Sequence, residues 1–148
     1  MKRKIYLMMI SLLLLSITFC SDNIIEPIQY DPNAMRVAGN YIATTFVVPG
    51  SNDGSVDVLA NGGMISVILS LDFTVRGRMI MPSHPNLQGE GFDEVFGGSY
   101  TIKNDSLQFK NFQNALSHPQ IYFIIKLDKL EAYLQAHSPV KIILERIK

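Results

Sequence analysis

The chain has 148 residues, enough for one domain beyond a leader, and an apolar fraction of 47% against 18% charged residues excludes a disordered chain. Thirteen basic side chains match thirteen acidic ones; because Lys2, Arg3 and Lys4 lie in the leader, the rest is net acidic, which excludes a basic stripe for nucleic acid. The single cysteine, Cys20, excludes an internal disulfide, so core packing alone has to hold the fold.

Lys2, Arg3 and Lys4 form a positive start to an apolar run from Ile5 to Phe19, broken only by Ser11, Ser16 and Thr18. At about 1.5 Å per helical residue the run falls short of a ~30 Å hydrocarbon core. It therefore reads as a signal peptide and not as a spanning helix. The run stops at Cys20-Ser21-Asp22-Asn23, and a cysteine in that place resembles the lipobox of bacterial lipoproteins. Ile17 and Thr18 suit the pattern, whereas Phe19 stands where a small residue is usual. The resemblance implies acylation of Cys20, a membrane partner through a lipid anchor, and a place in the bacterial cell envelope, at the outer membrane or facing the periplasm. The alternative is an ordinary signal peptide cleaved near Ser21. The expected organisation is a leader over residues 1–19, a Pro- and Asn-containing tether over 20–35, and a β domain over 36–148.

From Val37 onward the apolar period is two. Val37–Val48 is predicted as a strand, followed by a dense turn signal from Pro49 to Gly54. Val56–Leu59 is a short extended or turn piece before Asn61-Gly62-Gly63. Met64–Leu71 alternates cleanly, with Ile65, Val67, Leu69 and Leu71 on one face, and forms a hairpin with Thr74–Met81 across Asp72-Phe73. Pro82–Gly98, with two prolines and four glycines, is predicted as one long loop. Ser99–Lys103 and Ser106–Phe112 form a second hairpin across Asn104-Asp105. Gln120–Leu127 is strongly β. Leu130–His137 alternates as a strand, although Asp128 and Glu131 also fit a helix capping box. Lys141–Ile147 is the last strand. The fold class is all-β: about eight antiparallel strands in an up-and-down barrel, or a folded-over sandwich.

Five segments together resemble a family of lipocalin-like β-barrel proteins that are often exported: Ala38–Phe46, Asp57–Gly63, Gly77–Pro82, Phe92–Ile102 and Ile142–Arg146. They span almost the whole β domain. Tyr100 stands where a tryptophan is expected in such a barrel. The resemblance implies a barrel whose opening holds an apolar ligand, and it carries no catalytic residues.

Candidate chemistry is sparse. His84, His118 and His137 each lie beside or near a proline but lack metal-ligand spacing, so turn residues are the favoured reading. Arg76 and Arg78 share one strand face; they point outward if Phe73, Val75, Met79 and Met81 line the core. Asp93 and Glu94 are adjacent and point apart in an extended chain, which argues against a catalytic pair. There is no G-x-S-x-G elbow and no glycine-rich phosphate loop. No cofactor is implied, and no enzyme activity is expected. Met64, Met79, Met81, Phe92, Phe96 and Tyr100 are the candidates for an apolar cavity or its mouth. The expected function is an envelope lipoprotein that binds a small hydrophobic ligand. The alternative is a structural or protein-interaction lipoprotein whose barrel is packed.

Overall fold

The structure is a computed structural model that describes residues 28–51, 54–87, 90–111, 115–134 and 140–148. The leader, Cys20 and His137 lie outside the described residues. A short helix, α1 (Pro32–Val37), precedes nine strands: β1 (Gly39–Pro49), β2 (Ser55–Asp57), β3 (Met64–Leu69), β4 (Thr74–Met81), β5 (Phe92–Lys103), β6 (Ser106–Lys110), β7 (Phe123–Lys126), β8 (Lys129–Leu134) and β9 (Val140–Arg146). A 3-10 turn, Ala115–Ser117, lies between β6 and β7.

The strands pair antiparallel in the order β2-β1-β3-β4-β5-β6-β7-β8-β9, and β1 also pairs β9, which closes an eight-strand barrel with β2 as an extra edge. β1 serves three neighbours. Its start pairs β3 and its end pairs β2, while β9 runs along the opposite edge. A register shift between Ala43 and Thr45 bends β1 to make this possible. The weakest joint is β6 to β7, which pair only at Ser106↔Ile124 and Leu107↔Phe123.

The period-two reading holds. Ile65, Val67 and Leu69 are buried, as are Val75 and Met79 on β4, Leu107 and Phe109 on β6, and Ile142 and Leu144 on β9. Both expected hairpins form, and Lys129–Leu134 is a strand. Three expectations are corrected. The long loop is only half as long, because Phe92–Gly98 belongs to β5 and pairs all along β4. Gly97 and Gly98, expected as turn or bulge glycines closing that loop, lie in the ladder opposite Arg76 and Val75. The packed body also begins before residue 36. Asp31 caps α1 by accepting from the Asn33 amide at 2.7 Å, Pro32 starts the helix, and Ala34 and Val37 are fully buried against the barrel. Val37 therefore ends a helix, and β1 starts at Gly39.

One end of the barrel, here called the helix end, gathers α1, the Ser70–Phe73 turn, the Asn104-Asp105 turn, the Leu127-Asp128 turn and the close of β9. The opposite end, the rim, gathers residues 82–87 and 90–91, β2 and the 3-10 turn. Leu116 and Ile121 are buried there, at 0% and 5% exposure, and fill the space beside the short β6–β7 joint.

Candidate functional site

An eight-strand barrel has an interior just wide enough for side chains or one small ligand, so what occupies it decides what the fold can do. Here the inward positions are large. Tyr100, Phe46, Phe109 and Phe123 are each under 2% exposed, and the Phe109 and Phe123 rings meet edge to face at 5.1 Å between centroids. Every barrel strand contributes to one continuous apolar cluster. Among the described residues no buried side chain is polar or charged apart from the tyrosine hydroxyls.

The six candidate cavity residues fall into three groups. Met79, Phe96 and Tyr100 are inside but belong to the packed core, at 0%, 5% and 1% exposure. Met81 and Phe92 face each other across β4 and β5 at the rim, where Met81 packs against the core and Phe92 is 42% exposed. Met64 is a correction. It precedes Ile65 on β3, so alternation sends it to the outer face with Ser66 and Ile68, opposite Ile80. The six therefore do not enclose one site.

Phe96 owes its place to Gly77. The two are directly paired, and a Cβ at Gly77 would overlap the Phe96 ring and the Ser66 carbonyl. The missing side chain on β4 is thus the space in which the ring of β5 lies. Tyr100 is held at both ends. Its amide donates to the Phe73 carbonyl at 2.9 Å and its hydroxyl to the Ser70 carbonyl at 2.7 Å. Burial pushes its phenol up to about 12, with the Asp72 charge adding to the effect.

Polar chemistry lies on the outside. Arg76 and Arg78 point outward, as expected once Val75 and Met79 are buried, and Arg78 grips Asp93 through Nε and Nη2 at 2.8 and 2.5 Å. That fork holds the Asp93 carboxyl below the usual carboxylate range. His84 and His118 make the same turn. Each accepts on Nδ1 from the amide two residues on, with proline between, and each carbonyl accepts from the residue after that. They are turn residues, and no cluster of metal-ligating side chains occurs among the described residues. A shallow outer depression of about 340 Å³ lies on the β5–β6 hairpin, between Lys103, Lys110, Gln108 and Tyr122.

The most connected polar group is one that sequence reading missed. At the helix end, Arg146 donates through Nε and Nη2 to the Tyr41 hydroxyl at 3.1 and 2.8 Å, and through Nη2 to the Arg36 carbonyl at 2.7 Å. The guanidinium also lies over the Tyr41 ring, 5.4 Å from its centroid. Tyr41 in turn donates to the Val37 carbonyl at 2.8 Å, and Arg36 pairs with Asp105 at 3.0 Å. Gly39, at φ 153°, leaves room for the arginine, whose Nε would stand 3.3 Å from a Cβ there. This array clamps α1 over the barrel where β1 meets β9. It binds structure to structure and presents no open chemistry.

The fold and its outer polar groups thus define a closed, side-chain-filled antiparallel barrel. No family model, curated protein or solved structure matches the chain.

Proposed function

We propose that the protein is an exported, lipid-anchored barrel of lipocalin-like form that acts by surface contact in the cell envelope and not by enclosing a ligand. The observation that carries this reading is the filled interior: large apolar side chains from every barrel strand meet in one cluster. An interior packed in this way has little volume to give a guest, and evicting a ring such as Phe123 would cost about 3–5 kcal/mol. Among the described residues the buried side-chain polar groups are tyrosine hydroxyls, and those of Tyr41 and Tyr100 are already bonded to the Val37 and Ser70 carbonyls, which leaves little inside to orient a ligand. The positive leader, the apolar run and Cys20 support export and acylation.

Native mass spectrometry of the full protein, purified from membranes in detergent, tests both parts. The expected mass is the processed chain plus acyl groups on Cys20 and no further molecule. A stoichiometric apolar compound that leaves only on unfolding would refute the filled-barrel reading. An unmodified cysteine would refute anchoring.

A further inference from the structure

The exposed apolar residues are not evenly spread. Along the barrel wall Ile42, Ile68 and Val95 stand singly opposite polar partners, and Tyr122 and Ile124 share an outer face beside Tyr133 in one small patch. At the helix end they concentrate. Leu127, at the tip of the β7–β8 turn, is 91% exposed; Met35 on α1 is 60%, Ile147 is 50%, and Ile28 and Tyr30 on the approach to α1 are 74% and 42%. They share one end because Leu127, Arg36 and Arg146 line one depression, the Asp128 carbonyl accepts from the Arg146 amide, and the Asn40 carbonyl accepts from the Ile147 amide. A leucine at the tip of a tight turn, with no partner side chain over it, is wasted as core and costly in water.

We infer that this end of the barrel rests on the bilayer, with Leu127, Met35 and Ile147 entering the interfacial layer. The inference rests on the proposed anchoring at Cys20. The path of the chain selects a membrane as the occupant. Seven residues lie between Cys20 and Ile28, so over eight steps of about 3.5 Å the described chain begins within ~28 Å of an acylated cysteine. From Ile28 the chain enters α1, which lies on this end and on no other. Because the tether joins the barrel at this end, the helix end is the part of the barrel tied nearest the anchor. Lys103, at the end of β5, and Lys148, just past β9, stand at this end, whereas Lys126 and Lys129 are paired with Glu131 and Glu145, and Asp105 and Asp128 lie in the turns beside them. The apolar residues therefore carry most of the contact, and the contact should be only weakly sensitive to salt.

The chain contains no tryptophan, so one can be placed as a reporter. The full protein carrying Leu127→Trp, and separately Val95→Trp, is reconstituted into vesicles of equimolar phosphatidylethanolamine and phosphatidylglycerol, with and without brominated acyl chains. Val95 is 79% exposed and lies toward the rim. The expected result is blue-shifted emission at position 127 that brominated lipid quenches, with solvent-like, unquenched emission at position 95. Vesicle flotation reports anchoring separately. Protein that floats with both reporters in water overturns the inference and leaves the anchor standing. Protein that floats with both quenched also overturns it, since the barrel then lies on its side. Protein that does not float, with position 127 in water, overturns both.

Discussion

Arg146→Lys isolates what the helix-end clamp contributes, because it keeps the charge and most of the aliphatic stem while removing the planar fork. The native guanidinium satisfies two acceptors, the Tyr41 hydroxyl and the Arg36 carbonyl, and stacks on the Tyr41 ring. A hydrogen bond to a charged donor contributes about 1.5–3 kcal/mol, and a partly exposed cation over a ring about 0.5–1 kcal/mol. The lysine reaches one acceptor and loses the stacking, so the expected loss is about 2 kcal/mol; Arg146→Met, which loses both acceptors, should cost about 3–4 kcal/mol. With a urea slope of about 2 kcal/mol per molar, the lysine variant moves the unfolding midpoint down by ~1 M without a change of slope. Hydrogen exchange should locate the damage, with faster exchange at the Met35 and Ala38 amides, which bond inside and at the end of α1. A lysine variant with wild-type midpoint and unchanged exchange at these amides would refute the claim that this fork holds the helix on the barrel.

Gly77→Ala should be disproportionately harmful for one methyl group, because it meets the Phe96 ring and a β3 carbonyl at once; a loss of about 1–3 kcal/mol is expected by denaturation, and combining it with Phe96→Leu should recover part of it. Tyr100 keeps its proton in the fold up to about 12, whereas an unfolded tyrosine ionises near 10. The stability linked to it is fully present below pH ~10 and is lost as pH rises from there toward 12, so absorbance at 295 nm should show a late tyrosine titration that disappears in Tyr100→Phe. Asp72, Asp93, Glu131 and Glu145 are held below the ordinary carboxylate range, mainly by hydrogen bonds from Thr74, Arg78, Lys126 and Lys129 respectively. Their contribution is present above pH ~4 and lost on further acidification, so denaturation midpoints should be flat from neutral pH to about 5 and fall below 4, less steeply in Asp93→Asn.

The alternation that made Ile65, Val67 and Leu69 legible as one face comes from local geometry, and any single segment carries it. The same rule assigns Met64 to the other face; naming it a cavity residue let the softness of methionine outweigh its parity. Phe92–Gly98 was hidden for a different reason. Its glycines and adjacent acids mimic a loop, and the fact that decides otherwise lies on another strand: the vacant side of Gly77 and the fork of Arg78, which receive Phe96 and Asp93. The Arg146–Tyr41 contact joins residues 105 positions apart, a separation at which no local pattern signals a partner. Whether the barrel is hollow was equally illegible, because volume is a property of all inward side chains together.

Most partners in this sheet are also neighbours along the chain, so successive hairpins form as the polypeptide lengthens. The exception is the seam that ties Phe46 to Ile142. Until the last strand emerges, β1 presents a bare row of amides and carbonyls, and the growing sheet remains an open ribbon with two sticky margins. The newborn chain is consequently most vulnerable just before completion. A neighbour's final strand can fill the same slot, so crowding at that moment favours exchanged dimers, and loss of the terminal segment leaves a sheet that cannot close.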